Sequence, residues 1–294
     1  MPDPVIVTEG LCHTYNPGTP LERKALTDIS LRIGPGECVG IIGATGSGKT
    51  TLVQHFNGLL RPTAGKVIVE GADLAAPGIS LTAVRRRVGL LFQYPEHQLF
   101  ETTVFNDISF VLRQAGGLPA DEMDRRVRSA CSMAGLAEEF LSRSPYELSR
   151  GEMRRAALAG IMAQDPPVVV LDEPGVGLDG AGKREILARI RGMADSGKTV
   201  IIISHDVEEI AAMTDRLVVL EKGRILIDGA PDEVFEFLLP SGKAGFLVPS
   251  FFRFLARLRS EGWDIPPGIR TTEGAAEAID DFLGSRAVNA AAEN

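Results

Sequence analysis

The octet Gly43-Ala44-Thr45-Gly46-Ser47-Gly48-Lys49-Thr50 has the spacing G-x-x-x-x-G-K-[ST], and far downstream Asp172-Glu173 closes the apolar run Val168-Val169-Val170-Leu171. The first pattern is the residue set of a phosphate cradle. Gly46 and Gly48 free the backbone to turn its N–H groups inward around phosphate oxygens at a helix N-terminus. The Lys49 ammonium reaches the β- and γ-phosphates, and the Thr50 hydroxyl suits Mg²⁺. The second pattern supplies what hydrolysis needs beyond a cradle. Asp172 suits direct or water-mediated Mg²⁺ binding, and Glu173 suits a general base that orients water against the γ-phosphate.

Four further places carry chemistry with a less specific spacing. Gln93 follows Gly89-Leu90-Leu91-Phe92, where a strand's end meets ligands, and is either a group for the metal or the attacking water or an ordinary loop amide. His205 ends Val200-Ile201-Ile202-Ile203-Ser204 and either bonds the γ-phosphate or merely neighbours a helix cap. Ser149 and Gly151 open an alanine-rich helix that runs through Ala163, and form a second anion site or a plain cap. Tyr15 adjoins the turn-forming Asn16-Pro17-Gly18-Thr19-Pro20, where its ring either stacks on a base or covers the sheet below.

These residues need strands that end at one edge. Cys38-Val39-Gly40-Ile41-Ile42 reads as a buried strand feeding the octet, and Leu52, Val53, Phe56, Leu59 and Leu60 keep helical spacing behind it as far as Arg61-Pro62. Val5-Ile6-Val7, the alternating Ile29, Leu31 and Ile33, and Lys66-Val67-Ile68-Val69 make the N-terminal part rich in strands. From about 104 to about 165 helical spacing takes over, as in Met123, Val127, Ala130, Cys131 and Ala134, which reads as an inserted helical subdomain. The runs 168–172 and 200–204 are buried parallel strands, and Leu217-Val218-Val219-Leu220 with Arg224-Ile225-Leu226-Ile227 is a closing hairpin. Pro240-Ser241-Gly242 marks a boundary. Beyond it come two short helices, one with Phe251, Leu255 and Leu258 on a face, the other with Ala275, Ile279, Phe282 and Leu283, which pad the core or form a dimer contact. The closing residues 287–294 are expected to fray.

Composition narrows the class. A chain of 294 residues with 44% apolar content is globular, and a net charge of −8 argues against a general nucleic-acid or anionic-lipid surface. Cys12, Cys38 and Cys131 are too few and too scattered for a disulfide framework or a zinc site, which fits a reducing cytosol. There is no uninterrupted apolar run of about eighteen residues. The opening Met1-Pro2-Asp3-Pro4 lacks the regions of a signal peptide, so neither a membrane span nor export is expected.

The order of the phosphate loop, Gln93, Leu148-Ser149-x-Gly151, Asp172-Glu173, Asp179 and His205 resembles the ATP-binding cassette (ABC) ATPases over residues 1 to about 235. Within them, Tyr15-x-Pro17-Gly18-Thr19-Pro20, the stretch Phe92-Gln93-Tyr94-Pro95-Glu96-His97-Gln98-Leu99-Phe100 and Trp263-Asp264-Ile265-Pro266 resemble the ATPases of energy-coupling-factor transporters, in the second of their two subtypes. The resemblance implies an α/β fold: a P-loop NTPase core of the ABC type with a mixed sheet, the helical subdomain, a β-rich N-terminal part and a small helical C-terminal appendage. It places the ATPase domain at 1–239 and a dimerisation region at 240–294. It implies ATP and Mg²⁺ as cofactors, with Tyr15, the residues Gly43 through Thr51, Ser149, Gly151 and Asp179 around the nucleotide. Thr50, Gln93 and Asp172 would serve the metal, and Glu173, His205 and Gln93 the chemistry.

The same resemblance implies that two cassettes, identical or paralogous, pair head to tail, each ATP lying between one phosphate loop and the other chain's Ser149-Arg150-Gly151. It implies that the loop after Gln93 docks a membrane coupling protein at the cytoplasmic face of the membrane. That protein in turn holds a substrate-binding membrane protein for a vitamin or a transition-metal ion. Arg150 and Glu152 stand where the family's Leu-Ser-Gly-Gly-Gln has its first glycine of the pair and its glutamine, and Gly180 stands where proline is usual. Two other readings compete: a soluble ABC ATPase that acts on nucleic acid or ribosomes, and a regulatory subunit that hydrolyses slowly. The single cassette without a sustained heptad insertion speaks against the first, and Glu173 against the second.

Overall fold

The computed structural model describes residues 2–94, 98–241 and 247–292. Pro95, Glu96 and His97 of the expected docking loop, Gly242 of the expected boundary and the last two residues of the expected frayed end lie outside them. Two sheets form the scaffold. Strand β1 (Ile6–Tyr15) pairs antiparallel with β2 (Arg23–Ile33) on one side. On its other side lies β4 (Ala64–Val69), with β5 (Ala72–Asp73) at the edge. The second sheet has the order β10-β9-β3-β8-β7-β6, made of β3 (Cys38–Ile42), β6 (Val88–Leu91), β7 (Val168–Asp172), β8 (Thr199–Ile203), β9 (Arg216–Glu221) and β10 (Arg224–Gly229). Strands β6, β7, β8, β3 and β9 run parallel, and β10 closes the edge antiparallel to β9, as the expected hairpin requires.

Period-two alternation explains why the central strands are apolar throughout. Val39, Ile41, Val168, Val170, Ile201 and Ile203 face one core, shared with Ile6, Leu26, Ile29 and Ile33 of the antiparallel sheet and with Leu52, Val53 and Phe56. Cys38, Ile42, Val169, Leu171, Val200 and Ile202 face the other core, which the helices cover. Each large side chain so buried contributes about 1.5–3 kcal/mol, so the carboxyl ends of β3, β7 and β8 are held rigidly side by side.

The first core receives α1 (Lys49–Phe56). The expected continuation to Arg61-Pro62 is corrected: the helix ends at Phe56, and Leu59 is exposed. Gly58 there takes φ +69°, a left-handed conformation that stops the helix, and a Cβ on it would approach Leu81 Cδ2 to 2.7 Å. The helix α2 (Leu81–Arg87), absent from the sequence reading, sits on a Ser80 cap.

Helices α3 (Val104–Ala115), α4 (Ala120–Ala134) and α5 (Arg150–Met162) fill the expected helical stretch, with no strand between β6 and β7 among the described residues. Helices α6 (Gly180–Asp195) and α7 (Val207–Met213) follow β7 and β8, and α8 (Pro231–Leu238), also not foreseen, follows β10. Beyond it, α9 (Ser250–Ser260) buries Phe251, Phe252, Leu255 and Leu258 in the second core, so that face pads the chain's own cassette. The ring of Phe252 lies 5.2 Å from that of Phe235. The other expected helix is not short: α10 (Thr272–Ala292) has 21 residues, with backbone helix where fraying is expected, and Phe282 stacks on Trp263 at 4.6 Å.

Candidate nucleotide site

The loop between β3 and α1 is shaped by its glycines. Gly43 has φ +149°, and a Cβ there would meet the Leu220 carbonyl oxygen at 2.2 Å. Gly48 has φ +107°, and a Cβ there would lie 2.7 Å from the Ala25 carbonyl oxygen. The loop is thus pressed between β9 and β2 where no side chain fits. Lys49 Nζ turns back over it, donating to the carbonyl oxygens of Gly43 at 2.8 Å and Ala44 at 3.1 Å. Burial draws that ammonium below its usual range, against the opposing pull of Glu173 and Asp172. Ser47 Oγ is buried with no hydrogen-bond partner among the described residues. A buried hydroxyl left so costs free energy unless a ligand atom satisfies it.

Thr50 Oγ1 donates to Asp172 Oδ2 at 2.8 Å, which brings the end of β7 against the start of α1. Asp172 and Glu173 are both buried, and burial raises both carboxyl groups above their usual range, against Thr50 and Lys49 for the one and His205 for the other. Glu173 has φ +55°, an uncommon conformation for this residue, held by its N–H to the Ile203 carbonyl at 2.9 Å. His205 Nδ1 donates to Glu173 Oε2 at 2.8 Å. An ionised carboxylate only accepts, so the hydrogen in this contact belongs to Nδ1, and the imidazole ring is largely exposed.

Gln93 lies two residues past the Leu91–Leu171 pair of β6 and β7, and Arg154 donates to the carbonyls of both Gln93 and Glu173. The Gln93 carbonyl accepts at 3.1 Å, while the Gln93 side-chain amide makes no hydrogen bond among the described residues. The Tyr15 hydroxyl hydrogen-bonds Thr51 Oγ1 at 3.1 Å and the Tyr15 ring meets His13 edge-on, yet this residue also lines a cavity of about 290 Å³ with Arg23, Gly46, Lys49, Thr50 and Thr51.

The remaining expected residues gather elsewhere. Ser149 caps α5 through a capping box: its N–H donates to Glu152 Oε2 at 2.7 Å, and its hydroxyl accepts from the Glu152 N–H at 3.4 Å. A Cβ on Gly151 would lie 3.2 Å from Leu178, and the next residue, Asp179, caps α6 by accepting from the Gly182 N–H at 2.7 Å. Ser149, Gly151 and Asp179 therefore form a second cluster, which no hydrogen bond joins to the phosphate loop among the described residues.

Two residues escaped the sequence reading. Arg154 is buried in α5 and donates to the carbonyls of Glu173, Pro174, Val176 and Gln93. Its only signal was a cation on an apolar helix face. Arg23 stands directly across from Tyr15 in the β1–β2 register.

ATP with Mg²⁺ fits these residues. The glycines let the loop curl against the Leu220 and Ala25 carbonyls with its N–H groups free to turn inward, and Ser47 Oγ has no hydrogen-bond partner among the described residues. Thr50 and Asp172 offer the hard oxygens Mg²⁺ prefers. Among the described residues no group of three or more His, Cys, Asp or Glu could hold a metal.

Comparison with known proteins agrees with this geometry. The model of the ABC transporter family matches residues 26–175. The chain is 48% identical over 281 residues to the energy-coupling factor transporter ATP-binding protein EcfA2 of Symbiobacterium thermophilum, covering 96% of this chain and 97% of that one. It is 43% identical to the EcfA2 of Clostridium perfringens, covering 95% and 98%. Among solved structures, cbiO1 from Clostridium perfringens, part of the ABC transporter complex cbiONQ, superimposes with a TM-score of 0.72 at 33% identity, over 86% of this chain and 99% of that one. A dimeric ATP-binding cassette in a post-hydrolysis state with ADP and Pi gives a TM-score of 0.71 at 27% identity, over 76% and 98%.

Proposed function

Because the chain belongs to the energy-coupling-factor transporter ATP-binding proteins of the ABC transporter family, we propose that it is the ATP-hydrolysing subunit of an energy-coupling-factor importer. It works at the cytoplasmic face of the membrane, and a separate membrane protein chooses the vitamin or transition-metal ion that is moved. The observation that carries the reading is the convergence of the phosphate loop, Thr50-bonded Asp172 and His205-bonded Glu173 at the carboxyl ends of three neighbouring parallel strands.

The chemistry follows from those positions. The loop N–H groups and Lys49 hold the phosphates, and Tyr15 takes the base from the far side of the same cavity. Thr50 and Asp172, with Gln93 in the loop after β6, would hold Mg²⁺, which would supply positive charge against the phosphates. Glu173 accepts a proton from the attacking water as that water displaces the β,γ-bridging oxygen. A carboxyl raised by burial is the stronger base for this, and the His205 N–H fixes its orientation. Ser149, Gly151 and Asp179 lie off this cavity, so they serve a nucleotide held by a second cassette, as in a head-to-tail dimer. The region from 240 on assists that pairing, with Phe254 and Leu283 still exposed after α9 has packed on its own core.

Attachment to the membrane runs through a coupling protein, since among the described residues no helix is long and apolar enough to cross a bilayer. The docking place is the groove of about 300 Å³ between the core and the helical subdomain, lined by Leu59, Phe92, Leu99, Phe100 and Phe110. Phe100 is exposed and meets Phe110 edge-on at 4.9 Å. The test is sedimentation with membranes that carry or lack the coupling protein, alongside a nucleic-acid pull-down. The chain is expected to sediment only with the coupling protein present, and Phe100→Asp to release it. Equal sedimentation without the coupling protein, or capture by nucleic acid, would overturn the reading.

A further inference from the structure

We infer that Arg23 is a phosphate-binding residue, a second cation that grips the diphosphate of the nucleotide from the side opposite Lys49. The inference rests on the ATP site described above. In the β1–β2 hairpin Tyr15 and Arg23 are direct cross-strand partners, so their side chains leave the same face of the sheet as neighbours. The face is fixed on one side by the Tyr15 hydroxyl, bonded to Thr51 Oγ1 at 3.1 Å. Two residues along β2, the Ala25 carbonyl abuts Gly48 so closely that a Cβ there would come within 2.7 Å. Arg23 therefore overhangs the phosphate loop, and its Nη2 lies 3.3 Å from where a Cβ on Gly46 would be.

Ordinary reasons for an arginine at this position fail. Among the described residues Arg23 has no ion-pair or hydrogen-bond partner. The nearest acidic neighbour in sequence, Glu22, is taken by the Gly18 N–H at 2.8 Å. No carboxylate lines the cavity that Arg23 shares with Tyr15, Gly46 and Lys49; Glu173 and Asp172 act on the Lys49 ammonium from behind the loop, and among the described residues none pairs with Arg23. The Lys49 ammonium is turned back onto two loop carbonyls, inside the loop, while the guanidinium stands outside it. The backbone N–H groups between them cradle the α- and β-phosphates. A planar guanidinium forms paired hydrogen bonds to phosphate oxygens that a lysine ammonium does not reproduce. The ligand class is thus a nucleoside diphosphate or triphosphate, with Tyr15 on the base and Arg23 on the phosphates, each reached from one rung of the hairpin.

The test is equilibrium binding of ADP, ATP and adenosine to the full chain carrying Arg23→Ala or Arg23→Lys, with Lys49→Ala as the reference for the site itself. Arg23 is exposed and unpaired, so its loss leaves no buried group unsatisfied, and unchanged circular dichroism and melting confirm folded variants. Arg23→Ala is expected to weaken ADP and ATP by similar factors of about 10, equal to about 1.4 kcal/mol, with adenosine unchanged and Arg23→Lys intermediate. Raised salt should narrow the gap between wild type and Arg23→Ala. Unchanged ADP and ATP affinity in Arg23→Ala while Lys49→Ala loses them would overturn the inference and leave the ATP site standing. An equal loss of adenosine would place Arg23 on the base or sugar, and a loss confined to ATP would place it on the γ-phosphate; both overturn it. If Lys49→Ala keeps full affinity, the ATP site itself has been misplaced.

Discussion

The buried guanidinium of Arg154 donates to the carbonyl of Gln93 at 3.1 Å, and its other nitrogen reaches the carbonyls of Glu173 at 3.4 Å and Pro174 at 3.1 Å. One side chain on α5 thus ties this helix to the loop after β6 and to the segment that begins at Glu173. A guanidinium fork spans three chain segments where a single ammonium cannot. Arg154→Lys is expected to leave folded protein that binds ATP, with hydrolysis lowered about 10–100-fold through displacement of Glu173 and Gln93. Stability should fall by about 2–3 kcal/mol, because charge-assisted hydrogen bonds to buried carbonyls are lost. Steady-state ATPase and urea unfolding of the same preparation check both parts. Wild-type turnover with a normal unfolding midpoint would remove Arg154 from any such role.

The base proposed for hydrolysis, Glu173, is buried, strained at φ +55° and bonded to His205. Glu173→Gln keeps the shape and the loop contacts of Lys49 but removes the proton acceptor. Hydrolysis should drop by about 10²–10⁴-fold, with ATP affinity kept and the ATP-bound dimer accumulating in size-exclusion runs. Turnover near the wild-type rate would sink the assignment.

The carboxylates at the end of β7 also set a pH dependence of stability. Burial raises Asp172 above its usual range of 3.8, so the native state holds its proton more tightly than the unfolded chain. As pH rises from about the unfolded value through the folded one, the unfolded chain ionises first and the nucleotide-free protein loses stability; above that window the penalty is constant. Asp172→Asn is therefore expected to raise the melting temperature of the nucleotide-free protein at neutral pH and to flatten its slope on the acid side. The variant should also lose most of the Mg²⁺-ATP stabilisation, which for wild type at a hundredfold excess over Kd amounts to about 2.7 kcal/mol. Thermal scans from pH 3.5 to 7.5, with and without Mg²⁺-ATP, decide it; a melting point that falls on substitution contradicts the sign.

Much of the site was readable because its signals are local. The octet and Asp172-Glu173 declare themselves within eight and six residues, and Cys38 to Ile42 is uniformly buried as its composition requires. Arg23 was invisible because it meets Tyr15 only through a strand register that carries three irregularities along β1, which alternation in sequence does not reveal. Arg154 was passed over because an arginine on a helix usually lies in solvent, and nothing local says that four carbonyls of two distant loops converge on it. The end of α1 is not legible in sequence, since Leu59 and Leu60 keep the helical spacing while the left-handed Gly58 that stops the helix breaks no pattern of apolar residues.

Arg150 is the first residue of α5, exposed, with no ion-pair or hydrogen-bond partner among the described residues. Glu152, which stands close enough in sequence to neutralise it, instead accepts the Ser149 N–H in the capping box. A cation at the positive end of a helix is unfavourable by local electrostatics, so its placement calls for an anion from outside the chain. In the head-to-tail dimer proposed above, that anion would be the γ-phosphate held by the partner cassette. A guanidinium there stabilises charge as the phosphoryl group transfers. Arg150→Gly is therefore expected to act in trans. In a mixed dimer whose only competent phosphate loop lies on the other chain, hydrolysis at that loop should fall about tenfold, while the same substitution on the chain that carries the competent loop leaves the rate unchanged. The measurement is ATPase activity of mixed dimers in which one chain carries Lys49→Ala. A rise on losing the side chain would show that Arg150 holds the cassettes apart, and an equal effect from either chain would show that it does not face the partner's nucleotide.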